Sequence, residues 1–466
     1  MLVVSNTFKK NIAAVFVAMM FFSGCATDPK SDESKNSQKE LTEQQKSEEG
    51  KKNEETQSEN ESKETDSNSN NSKNIKLTDQ PVGFAAVTAQ TGTGTTVSTR
   101  ADFLAAVKKG GLIYVKGTID MSDGMLPDKA GGSTSALDSF VAEKSKGKFA
   151  DYADFKEKYA ASCSSSTDDK SSSNPQSSLG SEMWNLNKKY GEQIKIKIKS
   201  NTTIIGLEDA VIKGGTIQIS GVSNVIIRNL KIQDGYDPFP HHEKNDGFNA
   251  QWDGVCIDSS KNIWIDHCVF EDTMKYSMVD TSSGSEKWQT YDGLCDIKGD
   301  ATNITVSNSI FNNHDKTMLI GSSDSDGDNS KRFVTLCGNY FYNCGQRLPM
   351  VRNTTIHIFN NYYKTAGTPY SSQSCVNARK NAIVYAENNY FDSGCKYSFS
   401  AANDDSTPVL HASGNEGAKA NSTKNISITD GVLFSSLNKY KYTLLTATEA
   451  KTSVLANAGA GCTLAD

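Results

Sequence analysis

The chain reads as an all-β solenoid: a parallel β-helix with long loops gathered on one side, short helical appendages and a disordered N-terminal tether. Three observations predict it. Five segments end on aligned aromatics, namely IWIDHCVF (Phe270), ITVSNSIF (Phe311), VTLCGNYF (Phe341), IHIFNNYY (Tyr363) and VYAENNYF (Phe391). Each alternates β-branched or apolar residues with others, the period of a strand, and then bends at an Asn or His that tolerates left-handed dihedrals. The aromatics are separated by 41, 30, 22 and 28 residues. Variable spacing above a floor is what one coil gives when loops of different length interrupt it. An antiparallel sandwich would instead show hairpin turns at short, even intervals.

From the N-terminus, residues 1–25 have the pattern of an export signal: Lys9 and Lys10, an apolar run from Ile12 to Phe22, then small residues. The run is too short for a confident membrane span. It ends Phe22-Ser23-Gly24-Cys25, which resembles a bacterial lipobox with Phe22 where leucine is usual. Two readings stand: lipidation of Cys25 as the mature N-terminus, or ordinary cleavage nearby with Cys25 incidental. Residues 26–79 favour the first, because they read as a polar linker. Ala26 to Lys76 has no aromatic and almost nothing apolar, so it cannot bury enough surface to offset its ordering entropy. The expected location is outside the cytoplasm: anchored to a membrane at the cell surface or in the periplasm, or secreted.

Residues 80–466 form the folded body. Helices are expected at Arg100 to Lys108, with Phe103, Leu104 and Val107 on one face, and within Ser139 to Ala160. Ser162 to Gly180 is Ser-rich and reads as a mobile loop. VIIRNLKI, from Val225 to Ile232, is an earlier copy of the repeating strand without its aromatic, and Asn361 with its equivalents is placed to form a side-chain ladder.

Net charge is −6, unevenly placed: residues 26–75 hold 13 acids and 8 lysines, the export segment carries +2, and the body is left with −3. Such a body offers nothing to nucleic acid, and a polyanionic partner requires a local cationic cluster. A monomer is expected. Setting Cys25 aside leaves nine cysteines, an odd number, with no CxxC pair to suggest zinc. Cys337 with Cys344, and Cys375 with Cys395, are local candidates for disulfides.

The chemistry concentrates between Asp292 and Arg352, in DGLCDIKGD (Asp292 to Asp300), HDKTMLIGSSD (His314 to Asp324) and RLPMVR (Arg347 to Arg352). Carboxylates suit a hard cation such as calcium. Lys316, Arg347 and Arg352 suit a polymer carrying carboxylates of its own. Asp292 and Asp296 lie an even number of residues apart, so one extended strand would point both to one side. Asp253 lies one long coil spacing earlier, so stacking can bring it alongside. Surface turns and ion pairs are the plain alternatives for these residues.

These motifs, together with NIWIDHCVF (Asn262 to Phe270), VKGTID (Val115 to Asp120) and SNTTIIGL (Ser200 to Leu207), resemble pectate lyases of the first polysaccharide lyase family. The resemblance runs from Pro81 to Gly461. It implies a right-handed coil, calcium held by Asp253, Asp292 and Asp296, Arg347 as Brønsted base, and Lys316 and Arg352 binding galacturonate carboxylates. The reaction implied is β-elimination on α-1,4-linked polygalacturonate, giving 4,5-unsaturated oligogalacturonides. An arginine serves as base only when like charges crowd it, and an alkaline optimum follows. Gln251 stands where some members carry a further carboxylate, which lowers the site's negative charge by one.

Asp266 and His267 occupy the strand-to-bend position and read as structural, with Trp264 as packing. Trp252 and Trp288, near the acidic motifs, are candidates to line sugar subsites. Asp324, Asp326 and Asp328 do not make an EF-hand: Gly327 is misplaced and no Glu closes the loop. Three other functions compete: a pectin lyase acting on methylated polymer without calcium, a hydrolase using paired carboxylates, and a non-catalytic polysaccharide-binding lipoprotein. The intact acidic trio argues against the first, and the Lys and Arg set against the others.

Overall fold

The computed structural model describes residues 73–274, 278–280, 286–365, 372–402, 407–429 and 431–465. The export segment, Cys25 and nearly all of the spacer lie outside these residues.

Alternating apolar side chains in successive segments have one way to be buried together: the segments stack, and their inward residues fill one continuous core. Ile263, Ile265, Ile304, Val306, Val334, Leu336, Ile356, Ile358 and Val384 do this, all with no exposed surface. Each fully buried aliphatic of this kind contributes about 1.5–3 kcal/mol. The strands pair parallel and in register, Ile265 on Val306, Val306 on Leu336, Leu336 on Ile358 and Ile358 on Ala386. Two long sheets carry the coil, one of nine strands and one of sixteen. The larger is two walls joined through the strand Thr202–Lys213, which pairs with Ser223–Arg228 at one end and Lys231–Gln233 at the other.

The five aligned aromatics form a single stack inside the coil. Phe270, Phe311, Phe341, Tyr363 and Phe391 lie at centroid separations of 4.8, 5.0, 4.9 and 4.6 Å, with planes within 10° of parallel. The expected ladder is present: Asn339, Asn361, Asn389 and Asn415 donate each to the next, at 3.0, 3.0 and 2.9 Å. The structure divides two tasks between neighbours. The left-handed bend falls on the residue before, at His267, Asn308, Gly338, Asn360, Asn388 and Gly414. The ladder residue follows it and satisfies the backbone of the turn.

Helix α1, Arg100–Lys109, is capped by Thr99 and packs Phe103 and Val107 onto the first coil. The second helical expectation is two helices, α2 (Ser135–Lys144) and α3 (Tyr152–Ala161), and a third, α4 (Gly180–Ile194), was not anticipated. These three enclose their own aromatic core with Phe239, Phe248 and Trp288. The segment between α3 and α4 is held by buried Asp169, which accepts from Gln176 N, Ser177 N and the Tyr159 hydroxyl at 2.7, 2.8 and 2.9 Å. Helix α5 (Ala447–Asn457) precedes a last strand, Thr463–Ala465, that pairs with Asn74–Lys76 from within the segment read as linker.

Cys375 and Cys395 form a disulfide, as expected. Cys337 and Cys344 do not: Cys337 ends the strand Phe333–Cys337 with its Sγ toward Val82 O, and Cys344 lies in the next strand, Tyr340–Gln346, with its Sγ toward Phe311 O.

Candidate active site

The nine-stranded sheet carries the site. Its strands Val255–Asp258, Cys295–Lys298, Leu319–Ile320, Met350–Val351 and Ser374–Ala378 are successive parallel neighbours. Loops enter and leave this sheet, so residues at its strand ends from five coils share one surface.

Asp253 comes alongside the DGLCDIKGD segment as coil spacing predicts: Cys256 pairs with Asp296, and Gly293 N donates to Asp253 Oδ1 at 3.0 Å. Asp292 and Asp296 also share one region, but by a different route. The strand begins only at Cys295, and Asp292 reaches the site through the turn before it rather than by strand alternation. Gly293 makes this turn possible, since a Cβ there would run into both Asp296 and Asp253.

Two lysines are threaded among these acids. Lys298 Nζ stands 2.7 Å from Asp253 Oδ2 and 3.3 Å from Asp296 Oδ2. Lys316 Nζ is 3.5 Å from Asp292 Oδ1 and 3.2 Å from Asn249 Oδ1. Among the described residues no three acidic, His or Cys groups converge as a preformed metal cage. The donors nevertheless fit a hard cation. Burial, followed by the charge of Asp296, pushes the Asp253 carboxyl up to about 7 despite Lys298. Burial also raises Asp296, whose Oδ2 is buried without a hydrogen bond. Asp292 goes the other way: burial opposes its charge, but Lys316, Lys298 and Arg347 outweigh it. Buried anions held at such cost are what an oxygen-seeking divalent ion relieves.

The basic half lies on the next coils. Lys316 pairs with Gln346, so Arg347 follows directly, and Met318 N donates to Arg347 O at 2.8 Å. Arg347 adopts φ +60°, a left-handed conformation rare for a long side chain. Its Nε is buried without a hydrogen bond, while its charge lowers the carboxyls of Asp292 and Asp296. Arg352 donates from Nε to Asp324 Oδ1 at 3.0 Å and from Nη1 to Gly321 O at 3.1 Å. Burial lowers its pKa, and the next cause is Arg379, one coil further on.

All six site residues expected from the sequence therefore fall on one face. Lys298 and Arg379 were missed. Lys298 lies within the quoted motif, two residues from Asp296 and thus on the same side of the strand. Arg379 carries no motif, and only the register of Ala378 beside Val351 places it.

Other expectations resolve as follows. Trp288 is fully buried among α3 aromatics and lines no subsite. Trp252 is half-buried, seated over Gly191 with Lys195 Nζ 4.2 Å from its ring centroid. Gln251 is exposed, its backbone donating to Asp237. Asp326 and Asp328 pair with Arg332 and Lys331, so these two carboxylates are spent on the loop's own fold. Asp266 is structural: it accepts from Arg228, His267, Ser307 and Asn308 at 2.7–3.0 Å. It borders a separate cavity of about 1200 Å³ beneath the C-terminal segment, which none of the site residues line.

The sequence profile named Pectate lyase matches residues 128–463, more than half of the chain and all of the site. The chain belongs to the pectate lyase family. Pectate lyase E of Dickeya dadantii (strain 3937) is 45% identical over 172 residues, 36% of this chain and 43% of that relative. The matched segment thus spans less than half the length of that curated pectate lyase. A pectate lyase from Acidovorax avenae subsp citrulli superposes with a TM-score of 0.67 over 85% of this chain and 98% of its own, at 21% identity, which shows the common fold. A pectate lyase bound to a hexasaccharide superposes with a TM-score of 0.61 at 26% identity, covering 83% of this chain and 98% of its own.

Proposed function

We propose that this chain is a calcium-dependent pectate lyase that cleaves α-1,4-linked polygalacturonate by β-elimination, with Arg347 as the base. One observation carries the reading: Arg347 stands in the field of Asp292 and Asp296, beside Lys316 and Arg352, with a buried Nε that the protein leaves without a bond. A guanidinium placed only for structure would be spent on carbonyls or carboxylates, as that of Arg228 is, through Nε on Asp266 and Nη1 on Lys76 O.

Asp253, Asp292 and Asp296 would hold the calcium, which when bound draws charge from a substrate carboxylate and makes the neighbouring C5 proton more acidic. Lys316 and Arg352 would grip carboxylates along the chain and fix the sugar's orientation. Arg379, continuing the row beyond Arg352, would meet a carboxylate further along. In its uncharged form Arg347 would take the C5 proton, the electron pair would form the C4–C5 double bond, and the C4 glycosidic oxygen would depart and take a proton from solvent. That a structural relative is a pectate lyase bound to a hexasaccharide supports an oligosaccharide or polymer substrate.

Lys298 favours one second reading, a pectin lyase acting without calcium on methylated polymer, because its ammonium already neutralises Asp253 and Asp296. One assay separates the two: polygalacturonate with calcium or with chelator, followed by the ultraviolet absorbance of unsaturated product. Absorbance that chelator abolishes supports the pectate lyase. Absorbance on methylated pectin alone, indifferent to chelator, supports the second reading.

Export and anchoring through Cys25 rest on the N-terminal sequence pattern. Cys25→Ser is expected to release the protein from membranes without changing turnover, and a wild type already fully soluble after export would sink this part.

A further inference from the structure

The loop 321–332 is fixed onto the basic row from two sides. Asn353 Nδ2 donates to Asp324 O at 2.9 Å and Asp326 O at 3.0 Å, and buried Arg332 donates to Asp326 Oδ1 at 2.8 Å. Ser322 N caps Asp326 Oδ2 at 2.6 Å. The loop is therefore anchored at Asp326 and on the backbone of Asp324, and the Asp324 carboxylate projects from a held position. That carboxylate accepts from Arg352 Nε at 3.0 Å, with Asp324 39% and Arg352 15% exposed.

A guanidinium meets a carboxylate in a two-bond fork either side-on, through Nε and Nη2, or end-on, through Nη1 and Nη2. Asp324 occupies the side-on edge at Nε, and Gly321 O takes a hydrogen from Nη1. An internal carboxylate thus sits on the arginine that the proposed function assigns to a substrate carboxylate.

We propose that Asp324 is a specificity-determining residue of the site, an internal carboxylate that competes with the polymer's own for Arg352 and weakens the preference for fully charged polygalacturonate. This rests on the pectate lyase reading. Asp324 takes the side-on edge of the fork and offsets one positive charge of the row. It thereby lets the site accept a neutral, methyl-esterified residue at this position with less penalty than an unpaired arginine would impose.

The test titrates hexagalacturonate, and its fully methyl-esterified counterpart, into the full chain by calorimetry, for wild type, Asp324→Asn and Asp324→Glu, at low and high salt. Asparagine keeps an acceptor for Nε and removes the charge. It is expected to tighten hexagalacturonate binding about twofold to fivefold at low salt, the range of a partly exposed ion pair. The gain should shrink at high salt, and the esterified ligand should gain nothing and bind somewhat more weakly, since its neutral ester then faces an uncompensated guanidinium. Asp324→Glu, which keeps the charge, should bind both ligands as the wild type does. Unchanged or weaker hexagalacturonate binding by Asp324→Asn overturns the inference, and so does an equal change for both ligands. Calorimetry reads binding and the ultraviolet assay reads turnover. A wild type that binds but does not turn over therefore fails the lyase reading, while Asp324 is still judged by its own titration.

Discussion

Lys298 Nζ lies 2.7 Å from Asp253 Oδ2, so a side-chain ammonium occupies the approach to carboxylates that the family resemblance gives to calcium. Even with it there, Asp253 is pushed up to about 7, by burial and then by Asp296. A carboxyl whose folded pKa exceeds its unfolded value costs stability as pH rises from its ordinary range near 3.8 to about 7, because the unfolded chain ionises first. The calcium-free protein should therefore lose thermal stability across this window. With Asp253 as a ligand, as proposed, calcium would compete with the proton there, so its stabilising effect should grow through the same window and level off above it. Calorimetric melting at a series of pH values, with calcium and with chelator, reads both effects. A calcium-induced shift in Tm of the same size at every pH would show that Asp253 is not a ligand.

Asp292→Asn and Asp296→Asn each remove one anionic oxygen donor. Changes to outer partners of metal ligands commonly cost 10–100-fold in affinity, so loss of a direct ligand should raise the calcium needed for half-maximal activity at least about tenfold. The two should differ otherwise. Asp292 is paired with Lys316, so Asp292→Asn also frees that ammonium. Asp296 Oδ1 accepts from Leu319 N at 2.9 Å, a bond an asparagine oxygen can keep. Activity against free calcium, measured for both, checks the assignment, and an unaltered calcium requirement in both refutes it.

Much of this was legible because the coil repeats its physics. Alternation fixed which residues point inward, and the aligned aromatics marked one position of the turn in five coils. The Asn at each turn was read as one device, while the structure splits it between Asn360, which bends the chain, and Asn361, which bonds it. Helix α4 carries a readable apolar spacing at Met183, Leu186, Tyr190 and Ile194, but its first turn has no side-chain cap and follows a Ser-rich stretch. Asp253, Asp292, Asp296, Lys316, Arg347 and Arg352 lie in motifs, and the coil brings them together on one face as their spacing suggested. Arg379 was not legible, because its place depends on the register between coils, which spacing alone does not give when loops vary. Trp288 near an acidic motif looked like a sugar platform. Its neighbours turned out to be α3 side chains distant in sequence.

Arg347→Lys should abolish turnover and leave binding. The positive charge stays, so attraction to polygalacturonate should survive, but the planar group proposed to take the C5 proton is gone and a shorter ammonium does not reach the same point. General-base loss of this kind costs about 100-fold or more in kcat. Arg352→Lys should instead raise KM, since an ammonium still meets a carboxylate as a point charge. It forfeits the paired bonds to Asp324 and Gly321 that orient the fork. Measuring kcat, KM and circular dichroism at neutral and alkaline pH separates the two. A near-normal kcat for Arg347→Lys with a normal spectrum would eliminate it as the base.

Asn361 tests the scaffold beneath the site. It is fully buried, and its Oδ1 accepts from both the backbone N and the Nδ2 of Asn339, at 2.9 and 3.0 Å. Its Nδ2 donates to Leu336 O and Phe359 O as well as to Asn389. Asn361→Ala leaves at least one buried donor of Asn339 without a partner and opens a small void, and each unsatisfied buried group costs about 1–3 kcal/mol. The expected loss of stability is therefore about 3 kcal/mol in total. Asn361→Asp, which keeps the acceptor but buries a charge beside Asn389 Oδ1, should be no better. Asn415→Ala, at the last rung, should cost less, because Asn415 is not fully buried and supports one neighbour rather than two. Denaturant unfolding of the three variants reads this order. If Asn361→Ala proved no more damaging than Asn415→Ala, the ladder would be a consequence of the coil and not one of the things that hold it in register.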